Sequence, residues 1–242
     1  MTTSELVVGT GIANIYLRNA LAAEGAGRTL TGLYPGRFVL GLGVSHASTV
    51  EGRFGEHYGR PIATMRGYLE RMENFPAGVE PGAGRAPRLL AALGPRMIEL
   101  AAAAADGVHP YLVTAEQTRA TREAVGPDRW VVTEVAVAVG GDPDDQLRRA
   151  RDHLHLYLQL PSYRRSWLRQ GFTESDFEGG GSERLVRSLV GLGSADEAAA
   201  AVLAHVRAGA DHVVVQPLGD DGLFDPRPAL RELAAAFELP SR

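Results

Sequence analysis

The segment Gly36 to Met65, GRFVLGLGVSHASTVEGRFGEHYGRPIATM, decides the fold of this chain. Its apolar run Phe38–Leu42 predicts a strand that is buried on both faces, as in parallel sheets. The run opens into a polar loop that carries His46, and a helix start follows near Pro61. Because α/β enzymes build their sites at the carboxyl ends of strands, His46 is the first candidate site residue.

The same alternation of short apolar runs and longer helical patterns continues along the chain. Five further runs predict strands: Leu6–Val8, Leu89–Leu93, Val108–Leu112, Trp130–Val139 and His212–Gln216. Helices are predicted at about residues 17–33, 61–75, 95–105, 115–125, 143–160, 183–190, 195–208 and 227–237. Strand–helix alternation of this kind predicts right-handed βαβ units and a parallel sheet, which is the α/β class.

No shift in composition marks a boundary, so residues 1–242 are predicted to form a single domain. A long interval follows the strand at 130–139, and residues 161–182 within it read as an insertion. That segment carries Tyr163, Trp167 and Phe172. Since disordered linkers are poor in aromatic residues, the insertion is predicted to be ordered.

Composition excludes several classes of function. The chain has 242 residues, is 45% hydrophobic and 22% charged, and carries a net charge of −4 without a basic face for nucleic acid. It has no cysteine, which excludes disulfides and thiolate chemistry. Neither a secretory signal nor a run of about 20 apolar residues is visible, so we expect a cytoplasmic protein without a membrane partner.

Motif searches exclude further chemistry. The sequence has no HExxH and no Cys/His spacing, so no metal site is predicted. It also lacks a GxSxG elbow and a P-loop, which leaves a serine hydrolase or a nucleoside triphosphatase without support.

The stretch GTGIAN, Gly9 to Asn14, nearly matches a dinucleotide-binding fingerprint. Asn14 replaces the third glycine, and the acidic residue expected at the end of the next strand is missing. The other interpretation is a tight strand-to-helix turn in which Gly9 and Gly11 adopt positive φ.

The glycines in Gly41–His46 let a ligand or another backbone approach the end of the strand closely. Ser45 and His46 are then expected at its carboxyl end, where an imidazole exchanges protons near neutral pH. The alternative is a loop histidine that caps the following helix or is solvated.

Two further junctions are candidate sites. Leu93–Met97 joins a strand to a helix, where free N–H groups, the helix dipole and Arg96 would bind an anion; otherwise Arg96 is a surface residue. In the Val108–Leu112 run, His109 and Tyr111 are predicted to share one strand face. They would line the mouth of a barrel, or His109 is a core histidine with its hydrogen bonds satisfied.

Four stretches, GRFVLGLGVSHA, YGRPIATMRGYLE, LLAALGPRMIELAAAAADGVHPYLVT and AGADHVVVQPL, together resemble the luciferase-like monooxygenase superfamily. More narrowly, they resemble its coenzyme F420-dependent oxidoreductases. The resemblance runs in order across nearly the whole chain. It implies a TIM (β/α)8-type barrel with a deazaflavin or flavin at the carboxyl ends of the strands.

The resemblance also implies roles for individual residues. His46 falls where related F420 enzymes place an acid/base residue, and 161–182 falls where the family shapes its substrate pocket. The cofactor contacts that we assign are Gly11, Ile12, Gly43, Ser45, Thr49, Gly94, Pro95, Arg96, Met97 and His109. Among these, Gly11 and Ile12 match a strand bulge that supports the ring, and Gly94 to Met97 match the phosphate-binding helix terminus.

In one respect the chain departs from the family pattern. Family members open with a β–α–β–α segment before the strand that corresponds to Leu6–Val8, so the first two βα units of the barrel are expected to be missing. An upstream start, dimerisation or rearranged strand pairing, and a degenerate paralogue are the competing explanations.

The function that the resemblance implies is F420-dependent hydride transfer to or from a small organic substrate, in a homodimer. The alternatives are an FMN-dependent monooxygenase on the same scaffold and a non-catalytic, shortened flavin-binding paralogue.

Overall fold

A computed structural model describes residues 3–76, 84–219 and 225–237. The chain divides into two compact units: residues 1–109 with 124–130, and residues 110–123 with 131–242. Within the described residues of each unit, the strands pair in parallel, as the α/β prediction requires. No helix in the described ranges combines the length and the apolar character needed to cross a membrane.

The first unit is built on short strands. Its described residues contain β1 (Val8–Gly9), β2 (Ala13–Asn14), β3 (Phe38–Gly43), β4 (Arg88–Leu90) and β5 (Gly107–Val108). Strand β3 is central: β1 and β2 pair with it along one edge, β4 pairs with the other edge, and β5 pairs with β4. The carboxyl ends of β2, β3, β4 and β5 are therefore neighbours, about 4.8 Å apart from strand to strand.

Helices follow these strands. They are α1 (Ala20–Leu33), α2 (Ala47–Phe54), α3 (Pro61–Glu73) and α4 (Pro95–Ala104). The buried side chains of α3 are Met65, Tyr68, Leu69 and Met72, a spacing of three and four that places them on one face. Pro61 and Pro95 occupy the first turns of α3 and α4, where the missing N–H costs no hydrogen bond.

A β-bulge separates β1 from β2. The register pairs Gly9 with Val39 and Ala13 with Leu42, so four steps on one strand face three on β3 and one residue is extra. Thr10 fixes the bulge through its hydroxyl, which donates to the carbonyl of Gly41 at 2.7 Å. The peptide bond between Gly11 and Ile12 is cis. Neither Gly9 nor Gly11 has positive φ, so the turn interpretation was wrong.

The second unit contains β6 (Trp130–Val139, from Val131 on), β7 (Val190–Gly193) and β8 (His212–Pro217) among its described residues, with β6 paired to both others. Its helices are most of α5 (Ala115–Val125), then α6 (Pro143–Tyr157), α7 (Pro161–Arg169), α8 (Glu183–Leu189), α9 (Ala195–Arg207) and α10 (Arg227–Ala236). A 3-10 helix spans Glu174–Phe177. One face of β6 forms a core with α9 and α10: Val135, Val137, Val139, Ala198, Val202 and Leu233.

Helix α6 satisfies the backbone groups where the strands of this unit end. Arg149 is 7% exposed, and its guanidinium donates to the carbonyls of Val139, Gly140 and Leu218. Gln146 donates to the carbonyl of Gly193 at 3.1 Å and accepts from its N–H at 2.8 Å. These bonds meet the requirement that buried polar groups be paired.

The main strands and helices agree with the sequence prediction, and five elements were not predicted. These are β2, β7, α2, α7 and the 3-10 helix, and the last two confirm that the 161–182 segment is ordered. Of Leu6–Val8 only Val8 lies in β1, and Leu89–Leu93 ends at Leu90 in β4. The predicted strand Val108–Leu112 was also too long. It ends at Val108 because Pro110 cannot donate to a strand ladder and Leu112 turns the chain with φ of 51°. The single-domain assignment stays a prediction.

We predict that Gly41→Ala destabilises the first unit by about 3 kcal/mol, because its Cβ would overlap the backbone carbonyl oxygen of Thr10. Gly52→Ala is the matched control. A Cβ there meets no atom within 4 Å, and alanine is the better helix former, so stability should rise by about 1 kcal/mol. Urea unfolding measures both, and equal effects of the two substitutions would contradict the close approach.

We also predict a pH dependence of stability from His205, which is 5% exposed and bonds the Thr118 hydroxyl at 2.8 Å. Burial lowers the pKa of His205 to about 4 from an ordinary value of 6.5. Below pH 6.5 the unfolded chain therefore binds a proton at this histidine and the folded chain does not. The free energy of unfolding falls by about 3 kcal/mol as the pH falls from 6.5 to 4. Unfolding of His205→Asn across this window should lack that loss, whereas the exposed control His57→Asn should keep it.

Candidate active site

The candidate residues of the first unit gather at the carboxyl ends of its adjacent strands. Ser45 and His46 follow β3, Gly94 to Met97 follow β4, and His109 directly follows β5. Ile12 enters from the bulge before β2. Residues that are far apart in the sequence are thus brought to one edge of a parallel sheet, which is the usual place for a binding site in α/β proteins.

His46 lies at the start of α2. Its backbone carbonyl accepts the N–H groups of Thr49 and Val50 at 3.0 and 2.9 Å. His46 is therefore the N-cap residue of α2, as one of the two alternatives for this histidine expected, although its imidazole makes no side-chain capping bond. The side chain is half-buried, and this burial lowers its pKa. His46 therefore favours the neutral form, which can accept a proton.

The backbone before His46 is held in an unusual conformation. Ser45 has φ of 56°, a region that few residues other than glycine adopt. The Tyr58 hydroxyl donates to the Ser45 carbonyl at 3.1 Å. Strained residues of this kind persist where the surroundings over-determine them, and they cluster at functional sites.

Two tyrosines that the sequence analysis missed flank this turn. The Tyr16 hydroxyl donates to the backbone carbonyl of Tyr58, and the two rings are stacked with centroids 5.8 Å apart. Tyr16 lies two positions beyond the end of β2, and the N–H of Tyr58 donates to the Glu51 carboxylate at 3.3 Å. An aromatic residue two positions beyond a strand end was the available signal for Tyr16, whereas Tyr58 lies in a loop with no such marker.

The glycines of β3 are needed for contacts within the protein. A Cβ at Gly43 would overlap the side chain of Ile12, and a Cβ at Gly41 would overlap the Thr10 carbonyl. The close approach predicted for this strand is therefore made by the chain's own bulge. Gly43 and Ile12 remain predicted cofactor contacts, but the space beside the Gly43 Cα is already filled by Ile12.

The start of α4 has the features of a weak anion site. The N–H groups of Met97 and Ile98 both donate to the Gly94 carbonyl at 3.1 Å, and Pro95 has no N–H. The described residues supply no acceptor for the N–H or the exposed guanidinium of Arg96. Met97 is 7% exposed and packs in the core, so Arg96 is the residue of this turn best placed to bind a phosphate.

His109 and Tyr111 do not share a strand face, because β5 ends at Val108. His109 belongs to the first unit, is 6% exposed, and its N–H donates to the Leu90 carbonyl at 2.8 Å. Tyr111 belongs to the second unit, where its hydroxyl donates to Gln216 Oε1 at 2.5 Å. It also contacts Nε2 of His153, a histidine to which the sequence analysis gave no role.

Comparison with known proteins identifies the family. The family model described as luciferase-like monooxygenase matches residues 1–212, so the chain belongs to that family. The 5,10-methylenetetrahydromethanopterin reductase of Methanolobus tindarius is 30% identical over 161 residues, which cover 57% of this chain and 49% of that protein. The chain spans about half the length of the curated relatives that it matches.

Solved structures support the fold assignment. A coenzyme F420-dependent tetrahydromethanopterin reductase from Methanopyrus kandleri has a TM-score of 0.65 at 17% identity, over 98% of this chain and 83% of that one. The oxygenating constituent of 3,6-diketocamphane monooxygenase from Pseudomonas putida, in complex with FMN, has a TM-score of 0.66 at 16% identity, over 99% and 82%. The predicted fold class, α/β of the luciferase-like barrel type, is confirmed.

We predict that Tyr58→Phe weakens the turn before His46, because the Ser45 carbonyl loses the hydroxyl that donates to it. The expected loss of unfolding free energy is about 1 kcal/mol. Tyr34→Phe, at a 37% exposed tyrosine that ends α1, is the control and should change stability little. A Tyr58→Phe protein as stable as the parent would show that this bond does not hold the turn.

Proposed function

We propose that this protein is an oxidoreductase that binds coenzyme F420 and catalyses hydride transfer to or from a small organic substrate. The observation that carries the proposal is the neutral, half-buried His46 on a constrained turn at the carboxyl edge of β2 to β5. Two relatives support it. One is the 5,10-methylenetetrahydromethanopterin reductase that is 30% identical over 161 residues. The other is the structurally similar tetrahydromethanopterin reductase, which is named as coenzyme F420-dependent.

The residues present fit such a coenzyme at two points. Arg96, with the N-terminus of α4, would bind its phosphate through an N–H and a guanidinium for which the described residues supply no acceptor. The bulge at Gly11 and Ile12 and the loop at Ser45 and Thr49 would border its ring. When bound, the coenzyme supplies or accepts the hydride, and the protein supplies position and proton transfer.

The chain's own contribution centres on His46. Burial lowers its pKa, so the imidazole is neutral at pH 7 and has one ring nitrogen able to accept a proton. A substrate that changes between alcohol and carbonyl releases or takes up one proton with the hydride. His46 would hold that proton at its ring nitrogen, while Tyr58 fixes the turn that aims it.

An FMN-dependent monooxygenase is the second candidate. The structural neighbour from Pseudomonas putida, in complex with FMN, has a TM-score of 0.66 and supports this chemistry on the same fold. The two candidates differ in the coenzyme and in the need for oxygen. A flavin-binding protein without catalysis is the third reading, which binding without turnover would favour.

The first experiment is titration of the purified protein with F420 and, separately, with FMN, followed by coenzyme fluorescence. Saturable binding of F420 supports the proposal, and preferential binding of FMN supports the second candidate. Failure to bind either coenzyme would overturn both enzyme functions for the 242-residue chain.

We predict that His46→Ala lowers turnover by about 10²-fold or more and leaves coenzyme affinity nearly unchanged, since a positioned acid/base contributes that much to rate. The matched control is His57→Ala, at an imidazole with 89% side-chain exposure in the same unit, which should keep full turnover. Steady-state kinetics on alcohols, aldehydes and enones measures the effect. Unchanged turnover in His46→Ala removes this residue from the mechanism.

A further inference from the structure

The second unit contains a continuous row of aromatic rings that the proposed function does not use. Trp167 lies 5.6 Å from Tyr163, Tyr163 lies 4.9 Å from Tyr157, and Tyr157 lies 5.6 Å from Tyr111, measured between ring centroids. His153 ends the row, 6.1 Å from Tyr111. The rings come from α6, α7 and the segment after β5, all within the second unit.

The row runs from the core outward. Trp167 is 0% exposed, and its indole N–H donates to the carbonyl of Leu112 at 2.9 Å. Tyr163 is 7% exposed, whereas Tyr157 and Tyr111 are half-buried. Indole and phenol are the two neutral side chains from which an electron is most readily removed. The arrangement therefore links a fully buried oxidisable group to one that solvent can approach.

The outer end has a proton acceptor in place. The Tyr111 hydroxyl contacts Nε2 of His153 and lies 2.5 Å from Oε1 of Gln216. Burial lowers the pKa of His153, so its ring is neutral, and the Nδ1–H tautomer presents Nε2 as an acceptor. Burial also raises the pKa of Tyr111, so the phenol keeps its proton until it is oxidised.

We propose that Tyr111 is a redox-active tyrosine, coupled to Trp167 through the rings of Tyr163 and Tyr157 and to His153 through its hydroxyl proton. A one-electron acceptor first removes an electron from Trp167, whose N–H remains bonded to Leu112. An electron then moves from Tyr111 to Trp167, and the phenol proton, which the resting hydroxyl donates to Oε1 of Gln216, is transferred to Nε2 of His153, the stronger base in contact with the same oxygen. The products are neutral tryptophan, a phenoxyl radical, an imidazolium ion and the reduced acceptor, and a thiol in solution would return Tyr111 to the phenol.

Packing alone would explain the ring contacts, because offset and edge-to-face aromatic pairs stabilise cores by about 1 kcal/mol each. Packing does not require a neutral imidazole at the hydroxyl of the last ring. The imidazole that can accept the proton therefore distinguishes a redox-active tyrosine from aromatic packing alone, and the experiment tests that imidazole. An amide oxygen such as that of Gln216 is too weak a base to take the proton, so the proposal assigns it to His153.

The experiment is flash photolysis of the whole chain with hexaamminecobalt(III) as the electron acceptor. The chain has two tryptophans, so Trp130→Phe leaves Trp167 as the source of the tryptophanyl radical. In that background the tryptophanyl absorption should decay as tyrosyl absorption appears. Tyr111→Phe should abolish the tyrosyl signal and prolong the tryptophanyl radical, and Tyr34→Phe, in the first unit, should change neither.

His153→Phe tests the proton acceptor while an aromatic ring stays in place. It should also abolish or greatly slow tyrosyl formation. In the Trp130→Phe protein itself, transfer should be slower in heavy water, a measurement that needs no change at Tyr111. A tyrosyl signal that survives Tyr111→Phe or His153→Phe, or that shows no solvent isotope effect, would overturn the proposal.

Discussion

The contact between the bulge and β3 is the constraint on which the candidate site depends. The Thr10 carbonyl and the Ile12 side chain occupy the positions that Cβ atoms would take at Gly41 and Gly43. The extra residue of the bulge shifts β2 by one register step relative to β1, so that Asn14 pairs with Gly43 at the strand end. Because register decides which face each side chain occupies, this contact sets where Ile12 and Tyr16 lie.

The two units differ in the residues that surround the carboxyl ends of their strands. In the second unit, Arg149 and Gln146 from α6 form hydrogen bonds with the backbone at the ends of β6, β7 and β8. The polar backbone groups at these strand ends are therefore already paired within the protein. In the first unit, Ser45 and His46 follow β3 after Val44, and His109 directly follows β5. The candidate site accordingly falls in the first unit, where the chain ends its strands with small residues and titratable groups.

The sequence was sufficient for the fold class and for the place of His46 at a strand end, because continuous apolar runs and proline at helix starts are local signals. It was insufficient for β2, β7 and α2. Strand β2 has two residues, β7 is half glycine, and α2 carries no apolar stripe, so each depends on its tertiary neighbours. Tyr58 and His153 were missed for the same reason. Their partners, Ser45 and Tyr111, lie 13 and 42 residues away, and spacing alone does not pair them.

Burial acts on three histidines in the same direction and with different consequences. It lowers the pKa of His46, His153 and His205, so all three favour the neutral imidazole. His205 forms a hydrogen bond with a threonine hydroxyl inside the core. The expected consequence of its lowered pKa is that the folded protein loses stability in acid. His46 lies half-buried at a strand end and His153 contacts a phenol, and the roles that we propose for both require a neutral ring. The pKa direction is common to all three, so the surroundings of the ring, and not its pKa, separate the structural histidine from the two candidate functional ones.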